Sequence, residues 1–559
     1  MIGPTESFRT ARDILLRYRD DPDAARIAFR WPELDAFNWV DDWFDTYATG
    51  STQPGLVVVR DSGAEVVAFG ELAQRSKRVA RWLVDHGATR GDRVLVMLTN
   101  VAPLWETMLA CIRLGLVVIP ATAQLTPSDL DDRLARGQVR HVVTDADGAA
   151  KLRDPSRVHI KLCTEPFAGF AAFDDARSAP AELARVPTRA RDPLLLYFTS
   201  GTTAKPKLVL HTHASYPVGH LSTMYWIGIR EGDVHQNISS PGWAKHAWSS
   251  LFAPWNAGAT VVVHDQPRFS AARALAVLRD HAVNTLCAPP TVWRMLIAFS
   301  GSESLGERPH ALRELVSAGE PLNPEVIDAV QRAWAITVRD GYGQTETTAQ
   351  VGNSPGLPVR PGSMGKPLPG YDVALVDANG NEAREGELAI RLGAARPLAL
   401  MDGYVDDPER MAAATAGGFY RTGDEAMIDD DGYIHFVGRG DDVFKSSDYR
   451  ISPFELESVL VEHDAVVEAA VVPSPDPVRL SVAKAFVSLK PGVALDEATA
   501  HSIFEHCRAR LAPYNRVRRI EFMQSLPKTI SGKIRRVELR ALEQSPRAHF
   551  KDPKESKEK

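Results

Sequence analysis

The sequence has little cysteine, and what it has is scattered. Cys111, Cys163, Cys287 and Cys507 stand far apart and form no CxxC pair, which argues against a disulfide framework or a cysteine zinc site. No apolar run reaches the ~18 residues that span a bilayer, and the N-terminal segment is charged throughout, unlike a signal peptide. We therefore expect a soluble protein in a reducing cytoplasm.

A large excess of charge of one sign is missing too. The net charge is −6 over 559 residues, and acidic and basic residues are interspersed, so the sequence has no cluster of basic residues of the kind that binds nucleic acids. With 44% apolar residues the chain can bury large cores, and its length corresponds to roughly three or four domain-sized units. Small molecules are therefore the expected partners.

Internal repeats and low-complexity linkers are absent as well. From residue 14 to about residue 191, apolar strands such as residues 93–98 and 114–119 alternate with amphipathic helices, which predicts a layered α/β domain. Short apolar alternations among glycines and prolines over residues 362–437 predict a small antiparallel β unit. A composition shift at residues 438–442 marks a domain boundary.

These patterns predict an α/β fold in two domains and a tail. The large N-terminal domain consists of layered α/β subdomains plus the small β unit, and a small α+β domain follows it. The predicted bounds are residues 1–438 for the N-terminal domain, residues 439–544 for the C-terminal domain and residues 545–559 for a disordered, charged tail.

Residues 197–207, YFTSGTTAKPK, have the composition of a phosphate loop. A buried strand feeds a segment of hydroxyls, a glycine that lets backbone approach an anion, and two lysines. It is not a Walker A loop, because no second glycine precedes Lys205. On these residues alone, a solvated surface loop stays an alternative.

A second motif, DGYGQTE, follows the predicted strand at residues 336–338. Tyr342 has a face that can stack on a purine, Thr345 can bond phosphate or carboxylate, and Glu346 is a hard oxygen ligand suited to Mg²⁺. Later, YRTGD ends at Asp424, whose carboxylate can accept both ribose hydroxyls, although a self-capped turn aspartate is the alternative.

Two other segments have two interpretations each. His211 and His213 are two residues apart, which does not place both rings on one helix face, so structural histidines are favoured over metal ligands. The segment SPGWAKHAWSS holds Trp243 and Trp248, which could be core residues or a ligand platform.

Taken in order, these motifs resemble those of the adenylate-forming superfamily, which contains acyl-CoA and aryl-CoA synthetases, peptide-synthetase adenylation domains and luciferase. Six sequence motifs, spread over most of the chain, look most like those of the medium-chain acyl-CoA synthetase branch. They are FTSGT, GYGQTE, YRTGD, KSSDYRISPFELES, SPDPVR and LPKTISGK. The resemblance implies that ATP activates a carboxylic acid as acyl-AMP, with release of pyrophosphate, and that the acyl group then passes to CoA.

The resemblance also implies roles for single residues. Lys533 would be the catalytic lysine between carboxylate and α-phosphate, with Thr345 and Glu346 beside it and Mg²⁺ at Glu346. Asp441 would be the hinge about which a mobile C-terminal domain rotates between the two steps. The predicted ATP-binding residues are Thr199, Ser200, Gly201, Thr202, Thr203, Lys205, Lys207, Gly319, Glu320, Pro321, Asp340, Gly341, Tyr342, Gly343, Gln344, Asp424 and Arg439.

The CoA path and the acyl pocket are assigned in the same way. The predicted CoA residues are Ser447, Asp448, Tyr449, Arg450, Arg479 and Arg508, and the predicted acyl-pocket residues are Trp243, Lys245, His246 and Gly343. Gly343 stands where acetate-specific relatives carry tryptophan, so we expect room for a medium-chain, branched or aryl acid, while Lys245 and His246 could read a polar end. Ala204, Leu208 and Asp448 depart from the family pattern, which has glycine at these positions.

Two alternatives stay open beside the CoA ligase. One is an adenylation enzyme that loads a carrier-protein thiol, and the other is an inactive nucleotide-binding sensor, which the presence of Lys533, Glu346, Asp424 and Arg439 disfavours. The expected partners are the acid, ATP and CoA, with a second copy of the chain and a lysine acyltransferase or deacylase acting on Lys533 as further candidates.

Overall fold

A computed structural model describes most of the chain. The described residues are 3–199, 206–266, 268–300, 305–393, 396–405, 407–446, 449–476, 480–529, 533–543, 545 and 547–553. They fall into two compact units, Met1–Asp372 with Arg391–Phe419, and Val373–Ile390 with Tyr420–Lys559. The contacts thus group the small β unit with the C-terminal part, whereas the sequence predicted a boundary at residue 439.

The strands and helices are numbered in chain order. The strands are β1 (Pro54–Arg60), β2 (Gly63–Ala68), β3 (Arg93–Met97), β4 (Val117–Pro120), β5 (His141–Thr144), β6 (Ile160–Cys163), β7 (Ala171–Ala172), β8 (Pro193–Thr199), β9 (Lys207–Thr212), β10 (Val234–Asn237), β11 (Thr260–His264), β12 (Thr285–Cys287), β13 (Glu314–Ala318), β14 (Val338–Gln344), β15 (Thr348–Gly352), β16 (Lys366–Pro367), β17 (Val373–Val376), β18 (Glu382–Ala383), β19 (Glu385–Arg391), β20 (Gly403–Tyr404), β21 (Phe419–Ile428), β22 (Ile434–Arg439), β23 (Phe444–Ser446), β24 (Tyr449–Ile451), β25 (Val466–Asp476), β26 (Leu480–Leu489), β27 (Val517–Phe522) and β28 (Phe550–Lys551). The α-helices are α1 (Pro4–Arg17), α2 (Pro22–Ala28), α3 (Asp45–Ala48), α4 (Phe69–Asp85), α5 (Ala102–Leu114), α6 (Pro127–Arg136), α7 (Ala146–Lys151), α8 (Phe173–Arg177), α9 (His220–Ile227), α10 (Ala244–Ala247), α11 (Ala253–Ala257), α12 (Ala271–Asp280), α13 (Pro290–Ser300), α14 (Pro324–Trp334), α15 (Pro408–Ala414), α16 (Pro453–Val461), α17 (Glu497–Arg510) and α18 (Arg536–Leu542).

Two large sheets organise the first unit. One has the order β16-β15-β14-β13-β12-β10-β11-β1-β2, with a parallel run from β14 to β1. The other has the order β20-β9-β8-β4-β3-β5-β6-β7, in which β9 is antiparallel to β8. Parallel strands are usually buried on both faces, and β5 is buried at every position. The carboxyl ends of β13 and β14 lie side by side, and such strand ends form the ligand crevice of open α/β sheets.

Apolar helices cover these strands. Trp293, Leu315, Val330 and Trp334 belong to one buried cluster that joins α13 and α14 to the sheet. The predicted strand at residues 114–119 is shorter than expected, because α5 continues through Leu114 and ends at Gly115, whose φ of 65° is left-handed.

The described residues of the second unit form three smaller sheets. Their orders are β18-β17-β19-β21-β22, β23-β24 and β25-β26-β27-β28. A buried cluster that includes Leu456, Val471, Ile503 and Phe504 packs α16 and α17 against the last of these sheets. The predicted α+β architecture of this region is confirmed.

The prediction of a disordered tail is wrong for residues 550–552. Phe550 and Lys551 form β28, antiparallel to β27, and Phe550 packs against Phe522 with ring centroids 5.3 Å apart. Asp552 is 3% exposed. Long-range burial of one aromatic ring and one acid therefore outweighs the polar composition of this segment. Residues 554–559 lie outside the described residues.

Among the helices described above, none combines the length and the apolar character that crossing a bilayer requires.

Candidate active site

The phosphate loop joins two antiparallel strands. Thr199, the last residue of β8, lies directly opposite Lys207, the first residue of β9. The predicted ligands Ser200, Gly201, Thr202, Thr203 and Lys205 lie outside the described residues. Because the loop begins and ends at a paired position, the sheet holds Lys207 in a defined place.

The DGYGQTE motif lies mostly within a strand rather than after one. β14 runs from Val338 through Gln344, and Thr345 and Glu346 form the turn into β15. Gly341 is required, because a Cβ there would lie 2.2 Å from Cε2 of Trp226. The Trp226 indole also donates to the carbonyl of Asp340 at 3.2 Å, so this buried ring supports the motif.

Gly343 is closed in by its neighbours. A Cβ on this residue would lie 1.9 Å from the carbonyl oxygen of Thr348 and 2.8 Å from Cη2 of Trp248. This contact corrects the expectation that Gly343 leaves open space for an acyl chain. Close approach of β15 demands the glycine, and the wall that it faces is formed by Trp248.

Glu346 lies at the centre of a small polar cluster. Its Oε1 is 4.0 Å from Nζ of Lys207 and accepts a hydrogen bond from the Tyr404 hydroxyl at 3.1 Å. The Lys207 ammonium also lies 5.4 Å from the centre of the Tyr404 ring. These three residues, the Lys207–Glu346–Tyr404 cluster, bring a nearly buried carboxylate to the end of the phosphate loop.

The cluster suits a magnesium ion that arrives with phosphate. Within the described part of the chain, no group of three or more His, Cys, Asp or Glu side chains is placed to hold a metal ion. Mg²⁺ commonly uses one or two carboxylates together with substrate phosphates and water. Glu346 therefore fits the metal role that the motif predicted, with phosphate supplying the remaining ligands.

The ends of β13 and β14 meet beside Lys245. The Lys245 ammonium donates to the carbonyl of Ala318 at 2.8 Å, immediately before Gly319, whose φ of +100° requires a glycine. Asp340 accepts from the backbone N–H of Gly341 at 2.9 Å. Burial raises the pKa of Asp340 to about 8, and hydrogen bonds from the backbone N–H groups of Leu322 and Gly341, with the nearby Lys245 charge, offset this only in part.

Two further predicted residues have partners of their own. Glu320 accepts from the Thr291 hydroxyl at 3.2 Å and lies 3.7 Å from the guanidinium of Arg294, so it faces α13. The buried ring of His246 bonds to Asn100 at 3.0 Å, and burial lowers its pKa to about 3. His246 is thus a neutral core histidine, which argues against its binding a charged end of the substrate. Trp243, at the start of α10, is only partly buried.

In the second unit, Asp424 and Arg439 form a cross-strand pair on β21 and β22. Asp441 follows this hairpin, and its carbonyl accepts from Arg540 at 3.2 Å. Lys533 is exposed, and its peptide group exchanges two hydrogen bonds with Thr529, one of them at 2.7 Å. The loop that carries the predicted catalytic lysine is therefore closed at its base.

The predicted CoA residues are only partly described. Ser447, Asp448 and Arg479 lie outside the described residues, as do the side chains of Tyr449 and Arg450. Arg508 is described, and its guanidinium is nearly buried against the carboxylates of Asp552 and Glu505. This pairing anchors β28 and supplies a structural role for Arg508, so its contact with CoA stays a prediction.

Two residues of the site escaped the sequence analysis. Tyr404 was missed because it stands 58 residues after Glu346 with no motif around it. His211 was predicted to be a structural histidine, but its contact with the site was not foreseen: its Nε2 lies 2.7 Å from the carbonyl of Thr345. Its position in the strand after the phosphate loop was the signal that could have suggested contact with the site.

Comparisons with known proteins agree with this geometry. Residues 47–405 match the model of the AMP-binding enzyme family, and residues 455–533 match that of the AMP-binding enzyme C-terminal domain. The chain is 43% identical over 528 residues to 4-hydroxybutyrate–CoA ligase 1 of Metallosphaera sedula, covering 92% of each protein. It is 40% identical over 522 residues to the mitochondrial acyl-coenzyme A synthetase ACSM3 of Rattus norvegicus, covering 90% of this chain and 89% of the relative.

A solved structure shows the same architecture. The anthranilate CoA ligase AuaEII, in complex with anthranoyl-AMP, superposes with a TM-score of 0.82 at 28% identity, covering 91% of this chain and 97% of that one. The chain therefore belongs to the AMP-binding enzyme family, among its AMP-forming acyl-CoA synthetases. The predicted superfamily, fold class and reaction class are confirmed.

Proposed function

We propose that this acyl-CoA synthetase activates a medium-chain, branched or aryl carboxylic acid. The observation that carries the ATP-dependent activation is the Lys207–Glu346–Tyr404 cluster at the end of the phosphate loop. Similar proteins support the size range, since one is named for 4-hydroxybutyrate and another binds anthranoyl-AMP.

The chemistry explains why a phosphate site and an acid site are needed together. A carboxylate is anionic at pH 7 and resists attack by a thiol until it carries a good leaving group. The acid attacks the α-phosphate of ATP and expels pyrophosphate, and positioning and charge stabilisation lower the barrier. Lys533 would bridge the carboxylate and the α-phosphate, and Thr345 would bond the reacting oxygens.

Other residues would hold the nucleotide. Hydroxyls and lysines of the phosphate loop, Lys207 among them, would bind the β- and γ-phosphates, and Mg²⁺ at Glu346 would neutralise part of their charge. Tyr342 would stack on adenine between the ends of β13 and β14. Asp424 and Arg439 would hold the ribose. The full set of proposed ATP-binding residues is the one predicted from the motifs.

The second half-reaction would follow a domain rotation. We place the mobile domain at residues 439–544, after an N-terminal domain over residues 1–438, with Asp441 as the hinge. Rotation would carry Lys533 away and bring residues 445–450 to the acyl-adenylate. The proposed CoA residues are Ser447, Asp448, Tyr449, Arg450, Arg479 and Arg508.

Location and regulation are part of the same proposal. We place the enzyme in the cytoplasm, where its four free cysteines, all buried, suit a reducing medium. The exposed Lys533 side chain is accessible to an acyltransferase, and acylation would remove the charge needed for adenylation. A homodimer is the proposed assembly.

A panel of acids tests the substrate proposal. Acetate, butyrate, 4-hydroxybutyrate, isobutyrate, hexanoate, octanoate, benzoate and 2-aminobenzoate are each supplied with ATP, Mg²⁺ and CoA, and kcat/KM is measured from AMP release. We expect at least one medium-chain, branched or aryl acid to exceed acetate by about 10-fold or more, which is the discrimination that one or two methylenes provide. A preference for acetate, or transfer only to a carrier-protein thiol, would overturn the proposal, and Glu346→Gln serves as the inactive control.

A further inference from the structure

His211 connects the strand after the phosphate loop to the QTE turn. It lies in β9, four residues after Lys207, and its ring is 0% exposed. Nε2 lies 2.7 Å from the carbonyl oxygen of Thr345, and Nδ1 lies 2.9 Å from Oγ of Ser215. The imidazole therefore spans the distance between the loop that follows β9 and the turn that carries Thr345 and Glu346.

The neighbouring hydrogen bonds determine which nitrogen carries the proton. The carbonyl of Thr345 can only accept, so Nε2–H must donate to it. Ser215 Oγ already accepts from the backbone N–H of Thr212 at 2.9 Å, which leaves its own proton for Nδ1. The Thr212 hydroxyl in turn accepts from the N–H of Ser215 at 3.0 Å, so Thr212 and Ser215 bond each other reciprocally. His211 is thus held as one neutral tautomer.

Burial agrees with this assignment, since it lowers the pKa of His211 to about 3. The QTE turn is held at its next peptide as well, because the carbonyl of Glu346 accepts from the N–H of Met401 at 2.8 Å. With both carbonyls bonded, the direction of the Thr345–Glu346 segment is set. The Thr345 hydroxyl and the Glu346 carboxylate take their places from that segment.

We propose that His211 is a positioning residue for the first half-reaction: its Nε2–H group orients the Thr345 peptide and thereby places the Thr345 hydroxyl and the Glu346 carboxylate. The proposal rests on the proposed function, because it takes Thr345 and Glu346 as the groups that meet phosphate and metal. His211 itself touches neither substrate nor metal.

Two substitutions, each of which places a side-chain amide at the position of one ring nitrogen, test the positioning role of His211. In His211→Gln, the side-chain amide reaches the Nε2 position and can donate to Thr345, whereas in His211→Asn it reaches only the Nδ1 position. We expect the asparagine variant to lose about 10- to 100-fold in kcat for acyl-adenylate formation, since a buried carbonyl is left unbonded, with little change in KM for ATP. The glutamine variant should stay within about threefold of wild type in kcat.

His213 provides a matched control. It is equally buried and stands two residues further along, but its ring nitrogens have no hydrogen-bond partner among the described residues. His213→Asn should therefore leave kcat within about threefold. Equal losses in the Gln and Asn variants of His211, or a loss in His213→Asn as large as in His211→Asn, would show a packing role and overturn the proposal.

A readout without turnover completes the test. Long-range ¹H–¹⁵N spectra of wild-type protein labelled at histidine, with the His211 signals identified by their loss in His211→Gln, report the tautomer directly. We expect a neutral Nε2–H ring from pH 5 to pH 9, and an Nδ1–H or charged ring would contradict the proposal. If wild-type protein forms no acyl-adenylate with any acid, the proposed function fails instead, and the spectra still decide the tautomer.

Discussion

Asp424 and Arg439 face each other across neighbouring antiparallel strands, with Oδ1 of Asp424 3.3 Å from Nη1 of Arg439. The aspartate side chain is only 5% exposed, whereas that of the arginine is 41% exposed. The arginine thus holds the carboxylate from one side within a short hairpin. A fixed carboxylate of this kind suits the two hydroxyls of a ribose.

The first prediction concerns this pair. Asp424→Ala should raise KM for ATP by about 10- to 100-fold, because hydrogen bonds to a charged group contribute about 1.5 to 3 kcal/mol each. Pyrophosphate exchange into ATP measures the effect. Asp430→Asn changes a fully exposed acid at the turn between the same strands and is the matched control. An unchanged KM in Asp424→Ala would remove the residue from the ribose site.

The second prediction concerns Gly343. Because its Cβ position coincides with the carbonyl of Thr348, Gly343→Ala should lower the free energy of unfolding by about 1 to 3 kcal/mol, and Gly343→Trp by more. Gly403→Ala is the control, since a Cβ on Gly403 meets nothing within 4 Å. The free energy of unfolding in urea, measured for the Gly343 variants and for Gly403→Ala, gives the comparison. A stable Gly343→Trp enzyme that has merely shifted toward acetate would restore the open-pocket interpretation.

The third prediction follows from the raised pKa of Asp340, about 8. The folded protein keeps this proton up to about pH 8, whereas an unfolded aspartate loses it near pH 4, so the unfolded state binds fewer protons between these values. Stability from this group therefore falls as the pH rises through that window. Asp340→Asn should gain up to about 4 kcal/mol relative to wild type between pH 5 and pH 8. A difference that does not vary with pH would show that Asp340 is ionised when folded.

The fourth prediction rests on the sequence alone. Asp448 stands where the resembled family has glycine, and a carboxylate near the CoA thiol disfavours the reactive thiolate. Asp448→Gly should speed transfer from preformed acyl-adenylate to CoA and leave adenylation unchanged. Single-turnover transfer in the two proteins is the measurement. Slower transfer in the glycine variant would mean that Asp448 organises the CoA path.

Local patterns predicted much of the fold. The apolar run before the phosphate loop is β8, because the signal for that strand lies in neighbouring residues. The motif glycines were expected in a loop but lie in β14, since pairing with β15 and contact with Trp226 override local glycine preference. Such long-range contacts are not visible in a single sequence.

In the site, too, local motifs were predictable and long-range contacts were not. Residues within motifs, such as Lys207 and Glu346, were predicted, and they converge at 4.0 Å. Tyr404 and His211 complete the site from distant or unremarkable positions, and only the packed sheets bring them there. β28 could not be predicted either, because its burial depends on Phe522 and Arg508, which lie 28 and 44 residues away from Phe550 and Asp552 in the chain.

The most direct test of the central claim separates the two half-reactions in wild-type protein and in Lys533→Ala. Acid-dependent exchange of pyrophosphate into ATP measures the first step, and transfer from supplied acyl-adenylate to CoA measures the second. Wild-type protein should perform both steps, releasing AMP and pyrophosphate in equal amounts. The variant should lose exchange by about a thousandfold or more and keep transfer within about threefold, because the lysine acts only on charge developing during adenylation. Equal loss of both steps, or exchange that persists without Lys533, would contradict the account.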